Sequence, residues 1–302
     1  MVKRVLIIDE VHPSLARDLR ALGFEVDEKP HIRADDVVIA GYHGLVLRSK
    51  LVINPDFLST GSLEFIARAG AGLDLIDLPY CASKGITVFS ANEGNRDAVA
   101  EHVIGQLLSI AHKISSADAE VRAGIWNREA NRGWELQGKT IGIIGYGNMG
   151  KSLAKKLQGF DMNILAYDKY VPATHPLEDI FEQADILSLH IPLTPETHEM
   201  VNEEFIANFK KPIVLVNSSR GAICSLDAIL RALQTGKIKG LALDVLPNEQ
   251  VAKWSDAEKA RFTAIAAFPY SIFSPHVAGW TQESYWKINE VLLEKIKAFY
   301  QL

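Results

Sequence analysis

The sequence predicts an α/β protein built from two successive doubly wound parallel sheets. Three observations carry that reading. Short apolar runs alternate with longer amphipathic stretches, the pattern of parallel strands joined by crossover helices. The alternation occurs twice, with an interruption between Ala91 and Thr140. A glycine-rich segment stands at the first strand-to-helix junction of the second block, where such sheets bind ligands.

In the first block, residues 5–8, 44–47, 65–67 and 86–89 read as buried strands, with helices over 13–22 and 78–84. Residues 97–121 then carry apolar side chains at Val99, Val103, Ile104, Leu107, Leu108, Ala111 and Ile114. They predict one long helix whose stripe is too wide for a single contact face, buried between domains or at a dimer contact. Residues 122–137 are polar and read as a surface loop. In the second block the strands are 140–144, 163–167, 186–189, 213–216, 241–245 and 271–273, with helices between most of them. Residues 282–302 form a closing amphipathic helix.

The 302 residues suit about two domains. With 48% apolar and 23% charged residues, disorder, a collagen-like fibre and a stapled miniature scaffold are excluded. A net charge of −5 supplies no global attraction for nucleic acid. Two cysteines, Cys81 and Cys224, form neither a disulfide framework nor a zinc spacing, and a reducing cytosol is expected. The first apolar run stops at Asp9, too early for a signal-peptide core. No apolar stretch approaches the roughly 18 residues of a membrane span. The expectation is a cytoplasmic protein with no metal and no membrane or nucleic-acid partner.

Gly145, Gly147 and Gly150 form a GxGxxG segment around Asn148 and Met149. It follows strand 140–144 and opens a helix over 151–158, the turn at which a pyrophosphate rests on a helix N-terminus. The first glycine permits the tight turn, the second lets backbone approach phosphate, and the third lets helix pack on strand. Asp168 ends the next strand about 20 residues on, where a carboxylate accepts from the ribose hydroxyls and repels a 2′-phosphate. The cofactor expected is NAD rather than NADP.

Ligands of open α/β sheets bind beyond the carboxyl ends of the strands. After strand 213–216 comes Asn217-Ser218-Ser219-Arg220-Gly221; after 241–243 come Asp244 and Glu249; after 271–273 come Ser274, Pro275 and His276. Hydride transfer to a carbonyl creates an alkoxide that needs a proton, and a His near neutrality suits that task. A buried Glu beside it favours the imidazolium, and an Arg grips a carboxylate with two bonds. Each residue alone also has a plain reading: a structural His after Pro, a solvated Glu in the polar loop 247–256, an Arg at a helix start. Together at one sheet edge they are the parts needed to reduce a 2-oxo acid.

These residues resemble the D-isomer-specific 2-hydroxyacid dehydrogenases over nearly the whole chain. Arg48-Ser49 and Arg68-Ala-Gly70-Ala71-Gly72-Leu-Asp74 are similar to the family's substrate-domain motifs, and Asn95 with Val99-Ala100-Glu101-His102 to its interdomain crossing. Gly145–Gly150 with Asp168 resembles its cofactor loop, and His190-Ile191-Pro192 through Thr197 its adenine-side loop. Asn217–Gly221, Ala242-Leu-Asp244-Val and Pro275-His276-Val-Ala-Gly279 resemble its catalytic blocks. The resemblance implies a Rossmann NAD-binding domain (97–279) inserted into a flavodoxin-like substrate domain (1–96 and 280–302). It implies Arg220 as the substrate grip, His276 as acid/base, Glu249 as its partner and Asp244 on the nicotinamide amide. Val99, His190, Ile191, Pro192, Thr197 and Ser218 would line the cofactor. Arg48, Ser49, Arg68, Asn95 and the backbone amides of Ala71 and Gly72 would hold the substrate. A homodimer through helix 97–121 is implied as well. The formate dehydrogenase branch has Gln where Glu249 stands and is disfavoured. The chain departs from the family pattern in one place: Gln250 follows Glu249 where Pro is usual, and the segment 251–270 beyond it is long, a mobile lid or an ordinary surface helix.

Arg48 and Arg68 flank the carboxylate loop, and Arg128 and Arg132 lie in loop 122–137. Such a cluster suits a phosphate dianion. Within the family the phosphoglycerate dehydrogenases resemble the chain in these arginines, and that resemblance implies 3-phospho-D-glycerate as substrate, at the first step of serine synthesis, with glyoxylate or hydroxypyruvate as the alternative. The chain leaves no length for an appended regulatory domain, so feedback through one is not expected. A rival of another class is an NAD-sensing corepressor-like binding protein, which keeps the same Arg, Glu and His.

Overall fold

The computed structural model describes residues 2–172 and 174–302. They form two compact units, one running to Arg96 and including Trp280–Leu302, the other Asp97–Gly279.

The first unit runs β1 (Arg4–Ile7), α1 (Ser14–Ala21), β2 (Glu25–Glu28), β3 (Gly44–Leu47), α2 (Pro55–Leu58), β4 (Phe65–Arg68), α3 (Leu78–Ser83) and β5 (Thr87–Ser90). Its five strands are all parallel, in the order β2-β1-β3-β4-β5. The central strands are aliphatic and buried on both faces, as a covered parallel sheet requires. Strand β2, with the sequence EVDE, is absent from the sequence-based expectation. Only Val26 in it is buried, and its place comes from edge pairing, Val5 opposite Val26. Two helices meet this unit's core from one face: Leu15 and Leu19 of α1 share a cluster with Ile288, Leu292 and Ile296 near the chain's end. Each such side chain contributes about 1.5–3 kcal/mol by leaving water. Phe65, fully buried, sits among the rings of Phe89, Phe299 and Tyr300.

Helix α4 spans Asn92–Ala111 and α5 spans Ile114–Arg122. The single helix expected over 97–121 is thus broken. Lys113 takes a left-handed φ of 53°, and the Ala111 carbonyl accepts from the Trp134 amide at 2.9 Å instead of continuing the helical ladder. Gly133 makes that approach possible, since a Cβ there would lie 2.3 Å from the Ala111 oxygen. Part of the wide apolar stripe is core, while Ile104 and Leu108 are partly exposed and Ile114 is exposed. Val103, Leu107, Ile110 and Ala111 are core residues of the second unit, packed with Ile141, Ile143, Leu153 and Val214.

The second unit continues with β6 (Thr140–Ile144), α6 (Asn148–Leu157), β7 (Asn163–Tyr167), α7 (Leu177–Gln183), β8 (Ile186–Leu189), α8 (Glu203–Asn208), β9 (Ile213–Asn217), α9 (Leu226–Gln234), β10 (Ile238–Leu243), α10 (Asp256–Ala266) and β11 (Ser271–Phe273). Its six strands run parallel in the order β11-β10-β9-β8-β6-β7, and the order reverses between β6 and β8, opening a crevice at the carboxyl end of β6. Strand β10 starts earlier than the expected 241–245, because Ile238 already pairs with Ile213 ahead of an irregularity at Gly240. The segment beyond Glu249 holds α10, closed at its start by a capping box between Ser255 and Glu258. The chain ends with α11 (Gln282–Tyr300), capped by Thr281 and Ser284.

Candidate active site

The glycine loop is dictated by contacts of its backbone. Gly145 has φ +97°, and a Cβ on it would lie 2.3 Å from the His190 carbonyl oxygen. A Cβ on Gly150 would lie 2.1 Å from the Gly145 oxygen, so helix α6 could not come down on the turn. Gly147 faces open space. It caps α6 with no side-chain hydrogen bond to the helix amides, which leaves them for an anion. Tight turn, phosphate approach and helix packing are thus the three separate jobs of three glycines.

Asp168, just past β7, accepts from the Tyr146 amide at 2.7 Å with one oxygen and from the Tyr170 amide at 2.8 Å with the other. This ties the acidic strand end to the glycine loop, and each carboxylate oxygen keeps a lone pair for a ribose hydroxyl. Lys169 beside it is paired with Glu196 at 2.5 Å, so it does not neutralise Asp168. The adenine-side loop is held by Thr197, whose hydroxyl donates to the Pro192 carbonyl at 2.8 Å and accepts from the Thr194 amide at 2.8 Å. Thr197 shapes this loop, while the Ile191 side chain packs over Gly145. Burial pushes the His190 imidazole down to about 4, with the Ser188 hydroxyl 2.8 Å from its Nε2, so the ring is neutral at physiological pH. Val99 is a buried residue of α4. The Ser218 hydroxyl is buried and lacks a hydrogen-bond partner. Orphaned polar atoms of this kind suit groups that a ligand supplies, and the open Gly147 turn fits a pyrophosphate. The residues present therefore fit a bound dinucleotide.

At the far end of the same sheet edge, three loops carry the acid, base and cation. Asn217, fully buried, folds the first. Its Oδ1 accepts from the Ser219 amide at 3.0 Å and its Nδ2 donates to the Arg220 carbonyl at 2.9 Å. Gly221 then packs on the next loop, where a Cβ would lie 1.9 Å from the Leu246 carbonyl carbon. The Arg220 loop and the Glu249 loop are thereby side by side. Glu249 and His276 meet, with Nδ1 of the ring 2.9 and 3.0 Å from the two carboxylate oxygens. A carboxylate on Nδ1 makes that nitrogen the donor and leaves Nε2 for a substrate. The Glu249 expected to be buried is instead 48% exposed, and His276 46%, because both stand on loops at the sheet edge.

Asp244 has a structural task beside the cofactor contact that the resemblance implies. It is 1% exposed and bonded to the chain: Oδ1 accepts from the Ser274 hydroxyl at 2.6 Å and the Val277 amide at 2.9 Å, and Oδ2 accepts from the Ala278 amide at 2.9 Å and keeps a lone pair. It anchors the turn that presents His276, whose φ is a left-handed +56°. Sequence reasoning missed the rest of this network. His102 Nε2 lies 2.9 Å from Ser274 Oγ, and the Gln106 Nε2 donates to the same oxygen at 3.2 Å. His102 stands in the Val99–His102 motif of the family resemblance, and Gln106 follows it at helical spacing on α4.

The first unit has its own polar edge. Arg48 follows β3, one residue beyond the Leu47 that pairs with Arg68 at the end of β4, and the Arg68 Nε donates to the Arg48 carbonyl at 3.2 Å. Asp9, unnoticed in the sequence, accepts from the amides of Arg48, Ser49 and Lys50 at 2.6, 3.1 and 3.2 Å. The Arg48 guanidinium lies 4.0 Å from the Trp280 ring centroid, and burial works against its charge. Gly70 (φ +150°) lies against the Arg68 guanidinium, and Ala71 and Gly72 follow, partly buried. Arg132 of loop 122–137 is in a bidentate pair with Glu129, which weakens the case for it as a substrate contact.

Sheet order, glycine turn and acid–base edge together define a dinucleotide-binding α/β protein. The sequence pattern described as "D-isomer specific 2-hydroxyacid dehydrogenase, NAD binding domain" matches residues 104–278. The chain belongs to this family, and NAD is its cofactor. Hydroxypyruvate reductase of Thermotoga maritima is 34% identical, with 88% of each chain covered. D-3-phosphoglycerate dehydrogenase 2 of Saccharomyces cerevisiae is 30% identical over 93% of this chain, which spans 63% of the yeast protein's length. Among solved structures, D-lactate dehydrogenase from Aquifex aeolicus, complexed with NAD and lactic acid, has a TM-score of 0.84 at 25% identity, covering 99% of this chain and 96% of that one. No helix among the described residues is long and apolar enough to cross a membrane.

Proposed function

We propose that the chain is an NAD-dependent oxidoreductase that interconverts a D-2-hydroxy acid and its 2-oxo acid. The observation that carries this is the His276–Glu249 pair, 2.9 Å apart beyond the carboxyl ends of a dinucleotide-type sheet. Gly145, Gly147, Gly150, Asp168 and Ser218 hold the cofactor, which when bound supplies or accepts the hydride at C2. Arg220 binds the substrate carboxylate and polarises the adjacent carbonyl. His276 Nε2 gives its proton to the developing alkoxide in reduction and takes it back in oxidation, while Glu249 stabilises the imidazolium. Asp168 disfavours a 2′-phosphate, which supports NAD over NADP.

The substrate reading is 3-phospho-D-glycerate. Arg48 and Arg68 stand at adjacent strand ends, and Arg48 is desolvated, which favours an anionic group beside it. Hydroxypyruvate or glyoxylate is the second reading, favoured by the match to the Thermotoga hydroxypyruvate reductase over 88% of each chain. A panel of 2-oxo acids assayed with NADH and with NADPH separates them, repeated with Arg68→Ala. The variant is expected to lose about 10-fold or more in kcat/KM on 3-phosphohydroxypyruvate and little on glyoxylate. Equal losses would remove the phosphate reading, and no turnover with any acid despite tight NADH binding would favour an NAD sensor.

The homodimer reading now rests on α5 and the segment after it. Ile114, Val121, Ile125 and Trp126 are 51–80% exposed, a cluster that suits burial against a second copy. Trp126→Asp is expected to yield monomers by light scattering, and an unchanged dimer would place the interface elsewhere. We propose a cytoplasmic setting with serine synthesis as its pathway, resting on the substrate reading.

A further inference from the structure

We propose that helix α10 is a brace that positions Glu249 against His276, with Asn248 as its joint. The inference rests on the oxidoreductase reading of the His276–Glu249 pair. Asn248 directly precedes Glu249, and every polar side-chain group it has, with its carbonyl, is engaged. Its Oδ1 accepts from the Gln250 amide at 3.0 Å, so the turn closes around Glu249 itself. Its Nδ2 donates to Glu258 Oε1 at 2.8 Å, in the first turn of α10. Its carbonyl accepts from the Trp254 indole at 2.9 Å. Where the family pattern has a stiffening proline after the glutamate, this chain has Gln250 and supplies the stiffness by tertiary bonds.

The brace is itself tied to the rigid part of the fold. Arg261 of α10 pairs with Asp227 of α9 at 2.7 Å, and Ile265 is fully buried in the core. Phe262 of α10 touches both sides of the catalytic pair. Its ring lies 5.1 Å from that of Trp254, in the Glu249 loop, and 4.9 Å from that of Phe273, on the strand leading to His276. One helix face therefore sets the separation of the loop that carries the carboxylate and the strand that carries the imidazole. The bonds from Asn248 and Ser255 hold the Glu258 carboxyl down at about 2, so the joint stays charged until the pH falls toward that value. Asn248, Trp254 and Glu258 are positioning residues; they act through Glu249.

The test uses two measurements on the full chain. In 15N NMR of the histidine-labelled protein at alkaline pH, wild-type His276 is expected to hold the Nδ1–H tautomer that Glu249 selects. Asn248→Ala and Glu258→Ala are expected to move it toward the Nε2–H form. Glu258→Gln, whose single oxygen can accept from Asn248 only with its NH₂ set against the Ser255 amide, is expected to recover part of the wild-type ratio. In turnover with NADH, kcat is expected to fall about 10-fold in the two alanine variants while KM for NADH stays unchanged. Trp254→Phe keeps the ring packing, removes only the indole bond and covers the case of an unfolded alanine variant; a partial shift is expected. Wild-type tautomer ratios in all three variants would overturn the brace, and so would a shift without any fall in kcat. Failure of the oxidoreductase reading shows separately, as a wild-type chain that turns over no 2-oxo acid.

Discussion

His276→Asn is expected to lower kcat for 2-oxo acid reduction by about 10³-fold while leaving the NADH dissociation constant within a factor of two of wild type. The substitution keeps a polar side chain on an exposed loop, and asparagine is among the residues that tolerate the left-handed φ of +56° found there. Folding should therefore survive. What is lost is the group proposed to give and take the proton, together with its contact with Glu249 at 2.9 Å. Stopped-flow fluorescence of NADH binding beside steady-state turnover measures both. A kcat reduced only a few-fold would move the acid–base role to another side chain.

Asp244→Ala is expected to act first on stability, lowering the free energy of unfolding by about 3 kcal/mol in urea titration. The carboxylate is 1% exposed and accepts from the Ser274 hydroxyl and two backbone amides. Its removal leaves donors without acceptors in a place water reaches poorly, and such orphaned groups carry the full cost of desolvation. The same bonds hold the turn that keeps His276 in a left-handed conformation, which is itself unfavourable by about 1–3 kcal/mol. Released from its anchor, that turn relaxes and the imidazole leaves its place, so kcat is expected to fall by about 100-fold. Asp244→Asn keeps one acceptor and sets an NH₂ group against an amide, so it should fall between wild type and alanine. Wild-type stability in Asp244→Ala would refute the anchoring role.

Much of the site was legible in the residues alone, for a definite reason. The glycines at 145, 147 and 150 and the acid at 168 must keep fixed spacings along one strand-turn-helix-strand unit, so the constraint appears in the sequence. Arg220, Glu249 and His276 were legible because open parallel sheets put ligands at strand ends. The supporting residues were not. Asn248, Glu258, Ser274, Gln106 and Asp9 are ordinary polar residues in a list, and their importance lies in bonds to partners distant in the chain. Strand β2 escaped notice because EVDE has one apolar residue, and edge pairing with β1 decided its state. The break at Lys113 was hidden because it depends on Trp134 reaching the Ala111 carbonyl.

The sequence by itself determined the two parallel sheets and the dinucleotide turn, since local periodicity and short spacings encode them, and it named Glu249 and His276 as candidates that the structure brings together. Tertiary structure alone decided what holds them in place: Asp244 as an anchor of the His276 turn, α10 as the support of the Glu249 loop, and part of the stripe of α4 as core. Those roles arise from buried polar groups that must find partners and apolar faces that must be covered. Which partner or face answers is settled only when distant segments come together.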